Sequence, residues 1–318
     1  MNVIIRTDAS VKIGSGHAMR CLTVAKKLRS EGCHVKFWME KLDGNLIDFV
    51  ANEDFENITE AQYADLYIVD HYGLDIKWER MIRKYSKKLV VIDDLAREHD
   101  CDLLLDQNVV PNYETRYDGL VSDYCVKLLG PKYLIMRDEF IEARQQLKKR
   151  NGEIEHLLVF MGGTDPTNET MKILKALEDF TFEHVDVVVG NGNPVKEEIR
   201  EICLAKNYHY HCQINYMSRL MQQADFAIGA GGATMWERCY VGLPSSATIV
   251  ADNQIITTEY AASLDVVKNL GWHEQVTVET YKNLLLNLTI EGMNEKGLQL
   301  TANKQPNAWL HEILELKA

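Results

Sequence analysis

Short apolar runs alternate along this chain with longer stretches whose apolar residues recur every three or four positions. Val3 to Arg6, Leu66 to Val69, Leu89 to Ile92 and Leu103 to Leu105 are nearly continuous in Val, Ile and Leu. That is the pattern of strands buried on both faces of a parallel sheet. A second set follows at Leu157 to Met161, Val185 to Val189, Phe226 to Ile228 and Ala247 to Val250. Between the runs lie helical patterns, the clearest from Ala18 to Glu31, where Ala18, Cys21, Leu22, Ala25 and Leu28 share one face and Gly32 supplies a C-terminal stop. Alternation of this kind predicts doubly wound α/β architecture.

Two sets of runs predict two Rossmann-like domains, residues 1–150 and 151–318. The break is expected in the polar stretch Arg144-Gln145-Gln146-Leu147-Lys148-Lys149-Arg150-Asn151-Gly152-Glu153. Asn307 to Lys317 reads as a closing helix with Trp309, Leu310, Ile313 and Leu314 on its inner face. Ligands of open α/β sheets lie outside the carboxyl ends of the strands, so a substrate is expected in a cleft between two facing domains.

Charge narrows the partners. Acidic residues outnumber basic ones 47 to 35, a net charge of −12, and no basic stripe is present. Nucleic-acid affinity rests on Lys and Arg displacing counterions, so that partner is not expected. A chain 46% hydrophobic and 26% charged is not disordered. The seven cysteines, Cys21, Cys33, Cys101, Cys125, Cys203, Cys212 and Cys239, form no C-x-x-C pair and read as reduced thiols of a cytoplasmic protein. The apolar start is too short for a signal peptide, and no stretch approaches a membrane span.

Three glycine-bearing loops follow predicted strands. In the first, Gly14-Ser15-Gly16-His17 precedes the Ala18 helix, where free N–H groups and a partial positive charge suit an anion. It is not the dinucleotide fingerprint, since Met19 stands where a third glycine is needed. His17 either accepts a proton, its basicity lowered by the helix terminus, or packs and caps. Asp8 either orients His17 or forms a turn with Ser10. In the second loop, Gly162-Gly163-Thr164-Asp165-Pro166-Thr167-Asn168 is either a phosphate cradle or an Asp-Pro turn. The third, Gly229-Ala230-Gly231-Gly232-Ala233-Thr234-Met235-Trp236-Glu237, is the most informative. Its glycines admit phosphate oxygens, Thr234 can donate a hydroxyl, and Glu237 either accepts from a ribose diol or complements the helix dipole. Asn253 and Gln254 can bind a sugar or cap a helix. Asp70-His71-Tyr72-Gly73, Asp93-Asp94 and Asp106-Gln107-Asn108 also end strands. No metal site is read from them, because no third ligand type stands at a familiar spacing. His99, His209 and His211 read as structural or solvent-facing.

Taken in order, Arg6 to Ser10, Ile13 to His17, Met19 to Leu22, Val69 to Gly73, Ile92 to Ala96, Cys101 to Asn108, Tyr133 to Phe140, Met161 to Asp165 and Gly229 to Glu237 resemble one family. It is that of the UDP-2,4-diacetamido-2,4,6-trideoxy-β-L-altropyranose hydrolases of pseudaminic acid biosynthesis. Sequences tied to spore-coat polysaccharide synthesis share these motifs. The resemblance implies a glycosyltransferase-B architecture, with UDP held mainly by the second domain and the sugar facing the first. It implies His17 as the general base, Tyr72 beside the sugar, and Arg137 and Glu237 at substrate-binding positions. The implied reaction is attack of water on the anomeric carbon with inversion, needing neither cofactor nor metal. Catalytic positions are thus expected at His17, Tyr72 and Asp8, and substrate contacts at Gly14, Gly16, Arg137, Gly163, Thr164, Gly231, Gly232, Thr234, Glu237, Asn253 and Gln254. A UDP-sugar transferase of the same fold and a silent nucleotide-sugar-binding protein are the competing readings.

Overall fold

Among the described residues, thirteen strands form two wholly parallel sheets. The structure is a computed structural model and describes residues 1–150, 152–303 and 305–316. Asn151, inside the expected break, and Lys317, at the end of the expected closing helix, lie outside the described residues, as do Lys304 and Ala318.

The first sheet contains β1 (Asn2–Thr7), β2 (His34–Trp38), β3 (Glu56–Ile58), β4 (Ala64–Asp70), β5 (Ser86–Ile92), β6 (Leu103–Asp106) and β7 (Val126–Leu129), in the order β3-β2-β1-β4-β5-β6-β7. The second contains β8 (His156–Phe160), β9 (His184–Val189), β10 (His209–Cys212), β11 (Phe226–Ala230), β12 (Ser245–Ile249) and β13 (Lys268–Trp272), in the order β10-β9-β8-β11-β12-β13. All eight apolar runs predicted as strands fall on strands. Strand order reverses direction between β1 and β4 in one sheet and between β8 and β11 in the other. In open α/β sheets the carboxyl ends of strands at such a reversal are the usual ligand position.

One face of the first sheet packs Ile5, Ile68, Val90 and Leu105 against Ala18, Val24, Ala25 and Leu28 of the helix Gly16–Ser30. The other buries Ile4, Tyr67, Leu89, Leu104 and Tyr117. The helix ends as its sequence dictates: Gly32 takes φ +78°, and the Cys33 N–H returns to the Leu28 carbonyl at 3.0 Å. In the second sheet Leu157, Val159, Val187, Phe226 and Ile228 form a core with Ile173, Ile199 and Tyr281.

The described chain divides into two compact units, Met1–Met136 together with the chain from Asn303 onward, and Arg137–Ala302. The units part earlier than the 150/151 boundary read from polarity, and the reason is local. Helix Asp138–Arg144 buries Phe140 and packs on the helices Met217–Gln223 and Ala233–Tyr240. The polar residues that follow are clamps: Arg150 donates to the carbonyls of Met221, Ala224 and Gly242 at 2.9–3.1 Å, and Arg144 to those of Tyr240 and Leu298. The closing helix, Trp309–Glu315, returns to the first unit, where Trp309 and Ile313 are buried in its core. Asn307 anchors that return through both Met136 backbone groups, at 2.8 and 2.9 Å. No helix among the described residues is long and apolar enough to cross a membrane.

Candidate active site

In the first unit, Thr7 at the end of β1 pairs in register with Asp70 at the end of β4. This adjacency places the Asp70 carboxylate, with no exposure, against the first turns of helix Gly16–Ser30. His17 Nδ1 lies 2.6 Å from Asp70 Oδ1, and Arg20 grips both oxygens through Nη2 and Nε at 2.7 and 2.8 Å. Burial alone would raise the Asp70 pKa, but Arg20 and His17 outweigh it and hold the carboxyl well below its usual range. An ionised carboxylate can only accept, so Nδ1 carries a proton, and the neutral imidazole held in this way has its lone pair on Nε2. No described residue bonds Nε2. The Tyr72 ring stands edge-on to the imidazole, with centroids 4.3 Å apart.

Asp8 is not the partner of His17. Its oxygens accept from both Arg6 Nη atoms at 2.7 and 2.8 Å and from the Glu40 N–H at 2.7 Å, and one lies 3.0 Å from His71 Nε2. It organises the ends of β1 and β2. Nor does it turn back on Ser10, whose hydroxyl instead accepts from the Lys12 and Ile13 amides. Gly14, at φ +80°, closes this turn with its N–H on the Ser10 carbonyl at 2.8 Å, whereas Gly16 opens the helix. That helix has neither a side-chain cap nor an acid in its first turn.

The Tyr72 hydroxyl donates to Asp94 at 2.6 Å. Burial first, then Asp94, pushes its pKa well above the usual phenol value. Arg97 fixes the loop by donating to the Tyr72 and Leu74 carbonyls while pairing with Asp93 at 2.7 Å. His99 is a buried strut, 2.6 Å from Glu79 and 3.3 Å from Asp93. Burial opposes its charge, but the two carboxylates prevail and raise its pKa to about 9. Asp106 at the end of β6 pairs with Arg116.

The second unit repeats the arrangement at β8 and β11, paired at Phe160 and Gly229. The two loops there differ in kind. After β8, the buried Asp165 accepts from the Glu169 and Thr170 amides at 2.9 Å each, so a carboxylate of the chain itself occupies that helix start. Gly163 packs its backbone against Gly190, where a Cβ would lie 2.4 Å from the Gly163 carbonyl oxygen, and Thr164 lies beside Gly192. After β11, the helix Ala233–Tyr240 starts at Gly232 with no side-chain cap. A Cβ on Gly231 would stand 2.1 Å from Thr258 Oγ1, and Gln254 flanks both glycines while holding the Val250 N–H at 3.1 Å. Asn253 lies in the same short turn, Asp252–Gln254. Glu237 places Oε1 3.0 Å from Arg137 Nε and 2.9 Å from its Nη2, while buried Oε2 has no hydrogen-bond partner. Burial raises the Glu237 pKa despite Arg137. Arg137 is shared with Glu139 at 2.5 Å.

The expected site residues therefore gather in two groups. His17, Tyr72, Asp8, Gly14 and Gly16 lie in the first unit, and the others in the second. Arg20, Arg97 and Thr258 belong to these groups but carried no signal in spacing alone, and Asp94, singled out only as the end of a strand, proves to be the partner of the Tyr72 hydroxyl. Among the described residues no group of three His, Cys, Asp or Glu side chains is placed to hold a metal ion.

Solved structures locate this fold. The chain superposes on MurG of Acinetobacter baumannii with a TM-score of 0.64 at 15% identity, covering 99% of this chain and 98% of that one. The spinosyn rhamnosyltransferase SpnG in complex with thymidine diphosphate gives 0.62 at 12%, covering 99% of each. Together with the seven- and six-stranded parallel sheets, this defines a glycosyltransferase-B fold.

In sequence the chain is distantly related to three kinds of protein. It is 27% identical over 274 residues to the UDP-2,4-diacetamido-2,4,6-trideoxy-β-L-altropyranose hydrolase of Campylobacter jejuni, covering 82% of this chain and 96% of that one. It is 26% identical to the spore coat polysaccharide biosynthesis protein SpsG of Bacillus subtilis, covering 88% and 86%. An uncharacterized protein of Methanocaldococcus jannaschii is 28% identical over 77% of this chain, which spans only 54% of that relative's length. No family model matches the chain.

Proposed function

We propose that the chain is an inverting UDP-sugar hydrolase. Its substrate is UDP-2,4-diacetamido-2,4,6-trideoxy-β-L-altropyranose and its products are UDP and 2,4-diacetamido-2,4,6-trideoxy-L-altrose, on a route to pseudaminic acid or a related surface or spore-coat polysaccharide. The observation that carries this reading is the buried carboxylate–imidazole pair of Asp70 and His17, 2.6 Å apart, with Nε2 left to accept a proton. Asp70, itself gripped by Arg20, fixes the tautomer and stabilises the imidazolium that forms. His17 Nε2 takes a proton from water, the oxygen attacks the anomeric carbon opposite the diphosphate, and the electrons of the breaking C–O bond leave with UDP.

Tyr72, held by its hydrogen bond to Asp94 and standing beside the His17 ring, faces the sugar. In the second unit Gly231, Gly232 and Thr234 meet the diphosphate. Glu237, oriented by Arg137, accepts from the ribose through Oε2, and Gly163, Thr164, Asn253 and Gln254 complete the contacts. UDP is already a good leaving group, so a water-activating base and positive potential suffice. The seven cysteines are free thiols, which fits a cytoplasmic enzyme. The hydrolase relative of C. jejuni supports the substrate.

The solved structures of like fold include glycosyltransferases, which favours transfer to an acceptor hydroxyl as the second reading. One experiment separates the two: incubate the protein with the UDP-linked diacetamido sugar and no acceptor, then follow UDP, reducing sugar and the first anomer formed by NMR. Stoichiometric release with inversion is expected. UDP release only after an acceptor is added makes the protein a transferase, and binding without release makes it a silent nucleotide-sugar-binding protein.

A further inference from the structure

Arg238 is a buried cation that hydrogen-bonds to no acid, the neighbouring Glu237 acting on it only through space. It is 1% exposed, and its guanidinium donates only to neutral oxygens: Ala230 O at 2.9 Å, Ser245 Oγ at 3.0 Å and Thr234 Oγ1 at 3.4 Å. Buried charges are ordinarily paired, because the loss of hydration costs more than neutral acceptors return. Burial lowers its pKa to about 10, so it remains charged at neutral pH. Its seat is specific: a Cβ on Gly229 would lie 2.3 Å from Nη1, and only a glycine there admits the guanidinium under the end of β11.

Its contacts change the character of the turn above it. Accepting from Arg238 occupies a lone pair of the half-buried Thr234 hydroxyl and leaves its hydrogen to point away from the guanidinium. The Ala230 carbonyl, the nearest acceptor on the strand, is likewise engaged. The eight-residue helix Ala233–Tyr240 adds uncapped amides, whereas the start of helix Glu169–Ala176 is closed by Asp165. Thr258 gives a second sign of an unfilled site: its hydroxyl is fully buried, unpartnered among the described residues, and lies where a Gly231 Cβ would stand.

We infer that Arg238 is a positioning residue for a diphosphate: with no acid hydrogen-bonded to it, it lends positive potential to the Gly231–Gly232 turn and aims the Thr234 hydroxyl at a phosphate oxygen. The inference rests on the second unit being the nucleotide side of the proposed hydrolase. It adds a residue beneath the turn to those at its surface.

Calorimetric titration of the full chain with UDP and with uridine tests it. Arg238→Gln is expected to weaken UDP about 10- to 100-fold, the range for hydrogen bonds to charged groups, while uridine changes less than about threefold. Arg238→Lys, which keeps the charge in a smaller seat, should recover part of the UDP affinity. Thr234→Val, which keeps the shape of a half-buried side chain and removes only its hydroxyl, should weaken UDP alone and by less when Arg238 is already Gln. Equal losses for UDP and uridine would mean that Arg238 only supports the fold, and no loss for either would also overturn the inference. A wild-type chain that binds UDP but fails to hydrolyse the sugar nucleotide sinks the hydrolase reading and leaves this inference standing. One that binds no UDP sinks both.

Discussion

Asp70→Asn isolates the proposed role of the carboxylate, because it preserves shape and alters only charge and donors. Asp70 has no exposure and accepts at 2.6, 2.7 and 2.8 Å from His17 and Arg20. An amide offers one oxygen for these three donors and introduces two donors of its own. Its NH2 group meets His17 Nδ1 and favours the tautomer protonated on Nε2, the atom that must accept. Loss of the base should lower kcat by about two to four orders of magnitude. Leaving Arg20 unpaired in the interior should lower stability by about 3–5 kcal/mol. Steady-state UDP release gives the first quantity, and chemical denaturation of the same preparation gives the second. The tautomer is read without substrate, from the nitrogen shifts of a 15N-histidine-labelled chain at pH 8: Nε2 unprotonated in the wild type and protonated in Asp70→Asn. A variant with kcat within threefold of wild type, or an unchanged tautomer, would refute the reasoning.

Three further outcomes are expected. Trp309→Ala should lower unfolding free energy by about 3–5 kcal/mol, measured in urea, because the ring is wholly buried in the first unit; a change below 1 kcal/mol would deny the docking of the closing helix. Gly231→Ala should cost about 1–3 kcal/mol by driving Cβ into Thr258 Oγ1, and the Thr258→Ala background should relieve most of it; additive losses would place the clash elsewhere. His99 has a folded pKa of about 9 against an unfolded value near 6.5, so its contribution is complete below pH 6.5 and disappears as pH rises through 9. Melting temperatures should therefore fall between pH 7 and 10, and His99→Gln should flatten that slope.

The central strands were legible because a stretch covered on both faces must be largely apolar, as Leu66–Val69 of β4, Leu89–Ile92 of β5, Leu103–Leu105 of β6 and Val187–Val189 of β9 are. Those that periodicity missed, β2, β3, β7, β10 and β13, stand toward the sheet edges and carry mixed side chains. β13, Lys-Asn-Leu-Gly-Trp, is partly exposed along its whole length and has no apolar signature. The glycine loops announced themselves locally, and His17 with them. Its partner did not: Asp8 is near in sequence, while Asp70 becomes adjacent only when β1 and β4 pair. Arg238 is hidden for another reason. An arginine in the second turn of a helix reads as solvent-facing until Gly229 shows where its guanidinium goes.

The Asn307 anchor bears on how this protein comes into being. The first compact unit is assembled from two stretches that are not consecutive, with the whole second unit threaded between them. Its core lacks Trp309 and Ile313 until the second unit has been synthesised, so a nascent first unit must wait, underpacked, for the closing helix to emerge. Nor can a simple cut deliver it: expression of residues 1–136 alone would leave open the groove that the closing helix fills, whereas the second unit is one continuous segment and the natural candidate for isolation.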